Sequence, residues 1–243
     1  MKTAFISDIH GNLPALQAVL ADIESQHVDQ IICLGDVALF GPRPRETLQL
    51  LQRLNCPVVL GNTDEWALDP HPYPYRDERT YYINTIEAWG AEQLTAAELA
   101  FIRSFQATVT ATLGEGFEAL CAHATPRSNT ELLFPHTPEN EVLEMLAGYD
   151  TAVLAVGHTH AQFLRPVGTW QLFNPGSVGL SIVKAPDGHI LYQSAAHYAI
   201  VTAAGGQLRF DFRRVAYDVA QTWADAAGMA EGEWWCQQWL QFK

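Results

Sequence analysis

Residues Ser7–Asn12 read SDIHGN and overlap the end of the apolar run Lys2–Ser7. The run predicts a buried strand, and polar side chains stand directly where it ends. Asp8 and His10 are two positions apart, so extended backbone would point both side chains to one side. Gly11 allows a tight turn beside them. This stretch therefore predicts a strand that delivers an acidic and an imidazole side chain to one place.

Strands and helices alternate through the first sixty residues. A helix that starts at Leu13 is followed by a strand at Gln30–Leu34. A second helix, at Pro44–Leu54, is followed by a strand at Pro57–Leu60. Such alternation favours right-handed βαβ crossovers and a parallel sheet. Later elements are predicted as strands at Thr108–Leu113, Phe117–Cys121 and Thr151–Val156, a helix at Glu139–Leu146, and short strands in TWQLFN, HILYQSA, HYAIVTA and QLRFDFRRVAY.

Two segments depart from this alternation. Residues 69–104 contain the Pro-rich loop DPHPYPYRDE and a predicted helix at Thr80–Ser104, which we interpret as an insertion over the sheet. Residues 217–243 predict a C-terminal helix at Tyr217–Phe242, with four tryptophans that we expect to cover the core; a homo-oligomer contact is the alternative. We expect a single domain over residues 1–243 because 243 residues can share one continuous core.

Composition and charge narrow the possible partners. Hydrophobic residues make up 48% of the chain and charged residues 17%, which is typical of a soluble globular protein. The net charge of −13 repels nucleic-acid polymers and anionic membranes, so a small-molecule or peptide partner is favoured. The first apolar stretch is too short for a signal peptide, and no run of about twenty apolar residues follows. Four scattered cysteines without a C-x-x-C pair favour the reducing cytoplasm.

Polar side chains follow each predicted buried strand. The carboxyl ends of strands in an open α/β sheet form the ligand crevice, so these side chains should converge. The seven candidate ligands are Asp8, His10, Asp36, Asn62, His123, His158 and His160. Seven oxygen and nitrogen ligands without a thiolate are too many for one tetrahedral zinc. They suit two first-row divalent ions that share a bridging carboxylate.

The motifs DIHGN, GD, GN, H and GHTH, in this order, resemble those of the calcineurin-like metallophosphoesterase superfamily, in its small bacterial and archaeal phosphodiesterase-like branch. The resemblance covers roughly residues 1–218. It implies a four-layer α/β/β/α sandwich with a two-metal centre, and here the helical insertion would lie over the active-site face. It also implies direct attack on the phosphate by a hydroxide that bridges the two ions.

The resemblance implies two ligand sets that share Asp36 as the bridge. One set is Asp8, His10, Asp36 and His160, and the other is Asp36, Asn62, His123 and His158. Asp36, Asn62 and His123 are therefore catalytic as well as metal-binding candidates, and Asn12 is expected to support the site by hydrogen bonding. Manganese is the metal implied first, with iron, nickel or zinc also compatible with the ligands.

Residue 63 departs from the family pattern. Many phosphatases of the superfamily read GNH at this point, and that histidine assists the leaving group, whereas this chain reads GNT. A threonine hydroxyl is a poor acid near neutral pH, and a missing general acid costs about 10²–10⁴-fold unless the leaving group is already good. We expect Thr63 to form hydrogen bonds in its loop next to the substrate, and activity to favour activated esters or diesters.

Two arginines are candidates for phosphate binding. Arg43, in GPRPRE, follows the strand end that carries Asp36, and a guanidinium group suits bidentate contact with phosphate. Arg127, in HATPR, follows His123 and matches a position where the family often has arginine.

Three functions remain open from the sequence. The first is a two-metal phosphoesterase for a small phosphodiester or phosphomonoester. The second is a metal-binding scaffold module with little activity, which loss of ligands would indicate; all seven are present. The third is a serine/threonine-type protein phosphatase, which needs an open groove and fits less well with an insertion over the site.

Overall fold

The strands and helices are described by a computed structural model that covers residues 1–184 and 190–239. The strands are β1 (Lys2–Ile6), β2 (Gln30–Cys33), β3 (Thr108–Gly114), β4 (Phe117–Ala122), β5 (Val153–Ala155), β6 (Phe163–Val167), β7 (Trp170–Asn174), β8 (Ile182–Lys184), β9 (Ile190–Tyr192), β10 (Ala195–Ala204) and β11 (Gln207–Ala216). The helices are α1 (Leu13–Ser25), α2 (Pro44–Leu54), α3 (Asn62–Leu68), α4 (Glu78–Glu92), α5 (Ala96–Ile102), α6 (Glu139–Met145), α7 (Val219–Ala226) and α8 (Gly232–Gln237). None of these helices is long and apolar enough to cross a membrane.

The first sheet is mixed rather than parallel. Its strand order is β11-β10-β1-β2, and only β1 and β2 run parallel. Strand β10 pairs antiparallel with both β1 and β11. The turn between β10 and β11 contains Gly205 and Gly206, both with positive φ, which suits a tight hairpin. The predicted parallel sheet is therefore confirmed only for the βαβ unit that carries Asp8 and Asp36.

The prediction of a strand at Pro57–Leu60 was wrong. Val58 and Val59 form only isolated bridges, to Cys33 and Gln106. Asn55 lies in the left-handed region at one end of this short segment, and helix α3 begins at Asn62 on the other. The space between leaves room for two paired residues, and the turn expected at Asn62 is the first turn of a helix.

The second sheet has the order β3-β4-β5-β7-β6. Its three central strands, β4, β5 and β7, run parallel, and its edge strands are antiparallel. Strands β4 and β5 therefore end at the same edge, where the segments with His123 and with His158 and His160 follow.

Three apolar clusters confirm the four-layer arrangement. The two sheets face each other across a cluster in which the Phe5 and Phe173 rings lie 5.0 Å apart. A second cluster packs α1, α2 and α5 on the outer face of the first sheet, with buried Leu16, Leu48 and Ile102. The third packs α6 on the outer face of the second sheet. The order of layers is α/β/β/α.

The predicted long helices are both broken. The helix predicted at Thr80–Ser104 ends at Glu92, and Thr95 caps a new helix, α5, in a capping box with Glu98. The C-terminal prediction splits into α7 and α8, and residues 240–242 lie outside the described residues. As expected, Trp235 and Trp239 are buried, here against Phe40 and α4. The expectation of one domain over residues 1–243 stays a prediction.

His197 on β10 should make the fold sensitive to acid. Its side chain is buried, and within the described residues neither ring nitrogen has a hydrogen-bond partner. Burial, with a contribution from Arg214, lowers the pKa of His197 to about 4. Since the unfolded chain takes up this proton first, the free energy of unfolding should fall as pH drops from 6.5 towards 4, by up to about 3 kcal/mol.

Urea unfolding at pH 7 and pH 4.5 checks this expectation. The loss of stability between the two pH values should be smaller in His197→Leu than in wild type. The exposed His27 gives the matched control, and His27→Leu should keep the wild-type loss. An equal loss in His197→Leu and wild type would contradict the assignment.

Candidate metal centre

The structure brings the seven predicted ligands together where β1, β2, β4 and β5 end. The ligand atoms of Asp8, His10 and His160 lie within 4.8 Å of one another, and those of Asp36, His123 and His158 form a second such group. Asn62 joins the second group, with its Oδ1 3.1 Å from His123 Nε2. The two groups are the ligand sets that the sequence predicted, before the shared residue Asp36 is counted in the first.

Asp36 lies between the two groups. Its Oδ2 is 3.4 Å from His123 Nε2 in one group and 3.7 Å from His10 Nε2 in the other. Asp8 is confined more to its own group, where its Oδ1 lies 3.4 Å from His160 Nε2. This position suits Asp36 to contact two cations at once.

Backbone carbonyls fix the orientation of three of the imidazole rings. The Nδ1 atoms of His10, His123 and His160 lie 3.0, 2.7 and 2.8 Å from the carbonyl oxygens of Leu39, Leu34 and Leu180, respectively. A carbonyl can only accept, so each Nδ1 carries the proton in the neutral ring. Each Nε2 is left with its lone pair and points into the site, the usual arrangement of histidine ligands.

The spacing of two of these nitrogens indicates a cation. His10 Nε2 and His160 Nε2 lie 3.2 Å apart. Two lone pairs at this distance repel each other unless a proton or a metal ion lies between or beside them. The carboxylates of Asp8 and Asp36 are also buried next to these rings. The residues present therefore fit two divalent cations with oxygen and nitrogen ligands.

Five of the clustered residues have left-handed backbone. The φ angles of Asp8, His10, Asp36, His158 and His160 lie between 47° and 63°. This region is sparsely populated by residues other than glycine, and strain of this kind gathers at functional sites. Hydrogen bonds between the loops hold it, including those from Asp8 N to Gly35 O (2.9 Å) and from His10 N to Asp36 O (3.0 Å).

Electrostatics couple the carboxylates to the rings. Burial raises the pKa of Asp36, but the neighbouring His123 charge outweighs burial and the pKa is lowered overall. Burial lowers the pKa of His123, and the Asp36 carboxylate more than reverses this, so that the pKa is raised. Cations must therefore compete with protons for His123, and acid should oppose metal binding.

Asp64 is a functional residue that the sequence interpretation missed. Its buried carboxylate accepts hydrogen bonds from the backbone N–H groups of Asp36 (2.7 Å), Val37 (2.9 Å) and Gly61 (3.1 Å). Burial, together with the charge of Asp36, raises its pKa to about 7. The acidic residue two positions after Asn62 was the available signal. Asp64 fixes the bridge residue to the helix that begins at Asn62.

Asn12 lies beside the centre and supports it indirectly. Its Oδ1 accepts from Ala15 N at 3.3 Å and so caps α1, and its Nδ2 donates to Gly179 O at 2.9 Å. The next residue, Leu180, supplies the carbonyl that holds His160. The expected supporting contacts of Asn12 are therefore present, while its assignment as catalytic stays a prediction.

The two candidate arginines have different surroundings. The Arg43 guanidinium pairs with Glu46 (2.9 Å) and Asp225 (3.1 Å). Arg127 pairs with Glu131 (3.0 Å), yet it also lines a cavity of about 220 Å³ that has His123 in its wall. Arg127 is therefore better placed than Arg43 to meet a phosphate group, and both roles stay predictions.

Thr63 contacts the bridge residue through its backbone. Its N–H donates to Asp36 Oδ1 at 2.9 Å. Its hydroxyl oxygen is buried, and within the described residues it has no hydrogen-bond partner. The side-chain hydrogen bonds expected of Thr63 in its loop are absent from this part of the chain, and its role in binding substrate is untested.

The comparisons with known proteins agree with this architecture. Residues 1–199 match the family model for the calcineurin-like phosphoesterase superfamily domain. The chain is 28% identical to an uncharacterised protein of Methanocaldococcus jannaschii, over 95% of this chain and 94% of that protein. The crystal structure of a metallophosphoesterase from Sphaerobacter thermophilus is 27% identical, with a TM-score of 0.73 and 98% of both chains covered. A hypothetical protein from Pyrococcus horikoshii has the same fold at 19% identity, with a TM-score of 0.76 and 91% and 90% covered.

The chain belongs to the calcineurin-like phosphoesterase superfamily, because the family model covers most of its length. Its fold is the mixed α/β sandwich of that superfamily, and its class is that of the metal-dependent phosphoesterases.

Replacement of Asp64 should weaken metal binding without unfolding the protein. In Asp64→Asn, an amide NH₂ must face at least one of three backbone N–H groups, so the loop that carries Asp36 loses its anchor. Changes in such supporting residues typically cost about 10–100-fold in metal affinity. Isothermal titration with Mn²⁺ measures the change, and the exposed Asp69→Asn on the same helix end is the matched control. Unchanged affinity in Asp64→Asn would contradict this role.

Proposed function

We propose that the protein is a two-metal phosphoesterase that hydrolyses a small phosphodiester or phosphomonoester. The observation that carries the proposal is the pair of ligand groups with Asp36 between them. Two divalent ions held there would polarise the phosphoryl oxygens and lower the pKa of a bound water molecule. Each ligand group contains one carboxylate and two imidazoles, a set that suits manganese, iron, nickel or zinc, and we propose manganese first.

The side chains of the protein have separate tasks in this proposal. Asp36 keeps the two ligand groups in a fixed relation, because its carboxylate faces both. Burial of Asp8 and Asp36 excludes bulk water from the base of the site, which strengthens electrostatic interactions there. His158 is partly exposed at the mouth, so the second group is the one that a substrate can approach. Arg127 in the adjoining cavity would orient a phosphate oxygen.

The size of the adjoining cavity favours a small substrate. It encloses about 220 Å³ next to His123 and Arg127, which is too small for an extended phosphopeptide and comparable with a small phosphate ester. The alternative of a serine/threonine-type protein phosphatase would need a longer groove at this edge. The alternative of a scaffold module has little support, because all seven ligands are present and brought together.

We also propose a cytoplasmic location. The four cysteines, Cys33, Cys56, Cys121 and Cys236, are free thiols in the structure. Free thiols persist in a reducing compartment.

A substrate panel tests the proposed activity. The protein reconstituted with Mn²⁺ is assayed on nitrophenyl monoesters and diesters, mononucleotides, cyclic nucleotides, dinucleoside polyphosphates and phosphopeptides. We expect hydrolysis of small esters and little or no release of phosphate from phosphopeptides. Preferential turnover of phosphopeptides would favour the protein-phosphatase alternative, and no turnover of any ester by the metal-loaded protein would contradict the proposal.

Asp36→Asn should lower turnover by orders of magnitude while the protein stays folded. Loss of one charge between the ligand groups leaves two cations less neutralised and their separation unfixed. Arg43→Ala is the matched comparison, because Arg43 is held by Glu46 and Asp225. Measurement of kcat and of metal content by elemental analysis separates loss of metal from loss of rate. If Asp36→Asn kept more activity than Arg43→Ala, the bridging role would be wrong.

A further inference from the structure

Glu87 is a buried carboxyl group that neither the ligand set nor the fold explains. It lies on α4, within the 69–104 insertion, and only 4% of the residue is exposed. Its Oε2 has no hydrogen-bond partner within the described residues. A buried carboxyl group without a full set of partners is costly, so its retention points to a use.

Packing places Glu87 beside the metal centre. Gly90, one turn further along α4 and on the same face, packs so closely on Leu39 that an added Cβ would lie 3.1 Å from Leu39 Cδ2. Leu39 supplies the carbonyl that holds His10. Ile86 clusters with Phe40, whose ring centroid lies 6.4 Å from that of His10. The face of α4 that carries Glu87 therefore rests on the loop that follows Asp36.

A cavity of about 360 Å³ gives Glu87 access to solvent. Tyr73, Arg76 and Thr80 line it together with Glu87. Asn84 fixes Tyr73 to α4, accepting from Tyr73 N at 2.8 Å and donating to Tyr73 O at 3.0 Å.

The far wall of this cavity leads to α3. Tyr73 is stacked with Trp66, with ring centroids 6.5 Å apart and planes 24° apart. Trp66 lies on α3, the helix that begins at the ligand Asn62. The cavity thus lies between the metal centre and solvent.

Resting on the proposed phosphoesterase function, we propose that Glu87 donates a proton to the leaving oxygen of the substrate. The P–O bond to that oxygen breaks with its electron pair going to oxygen, and the proton of Glu87 forms the new O–H bond. A hydroxide from water supplies the new P–O bond. Glu87 is left as a carboxylate and regains a proton from solvent through the cavity.

The electrostatics of Glu87 suit a proton donor. Burial, together with the charge of Asp36, raises its pKa to about 8. The other titratable or charged groups in its cavity are Tyr73 and Arg76. Cations at the ligand groups would lower this pKa towards neutrality, which is the range in which a general acid works best. Thr63, by contrast, carries only a weakly acidic hydroxyl.

The rate of hydrolysis as a function of leaving-group pKa tests the assignment. Metal-loaded wild type and Glu87→Gln are compared on a series of esters that runs from para-nitrophenyl to alkyl leaving groups. Glu87→Gln should lower kcat for alkyl esters by about 10²-fold or more and leave para-nitrophenyl esters nearly unchanged. A plot of log kcat against leaving-group pKa should therefore be steeper for Glu87→Gln. The exposed Glu92→Gln on the same helix is the control and should keep the wild-type slope.

Infrared spectroscopy gives a readout that does not depend on turnover. The metal-loaded wild type should have the C=O stretch of a protonated carboxyl group at pH 7, and this band should disappear as pH is raised past the pKa. Glu87→Gln should lack the band and Glu92→Gln should keep it, which separates it from any signal of Asp64. The titration of the wild type alone stands if a variant fails to fold.

The outcomes separate the two proposals. A wild type that hydrolyses none of the esters would refute the proposed function itself. An active wild type whose slope is unchanged in Glu87→Gln, an equal loss on alkyl and nitrophenyl esters, or a band unaffected by the substitution would refute only the role of Glu87.

Discussion

Two buried carboxylates, Asp8 and Asp36, set the constraint on which the site depends. They lie side by side with four imidazoles at the end of the first sheet, almost without exposure to solvent. Buried carboxylates are costly unless positive charge is supplied nearby, and the rings turn lone pairs rather than N–H groups towards them. Protons or cations must therefore complete the cluster. This requirement links the geometry of the fold to metal-dependent chemistry.

The surrounding chain serves this constraint at close range. Five left-handed residues aim their side chains inwards, and the backbone N–H of His158 donates to both carboxylate oxygens of Asp8, at 3.2 and 3.1 Å. Gly157 lets the second sheet approach, since a Cβ there would lie 2.0 Å from Ser7 Oγ. Strained backbone of this kind persists only where many contacts over-determine it. The C-terminal helices and the insertion then close the outside of the loops with Trp235, Phe40 and α4.

Sequence patterns predicted the parts of the site that depend on strand ends and failed where distant segments decide the structure. All seven ligands follow predicted strands, so their convergence was readable from the chain. The mixed first sheet was not, because β10 pairs with β1 across nearly two hundred residues. Asp64 escaped notice because its partners are backbone groups of another loop, and the pairing of Arg43 with Asp225 has no local signal. The breaks in the long helices depend on local capping at Thr95 and were readable in principle.

Anomalous diffraction from crystals grown with Mn²⁺ tests the central claim most directly. The account predicts two peaks about 3.5–4 Å apart, as is typical of two-metal hydrolases. One peak should lie among Asp8, His10 and His160, the other among Asn62, His123 and His158, with the Asp36 carboxylate in contact with both. A single peak at full occupancy, or peaks away from these side chains, would contradict the account.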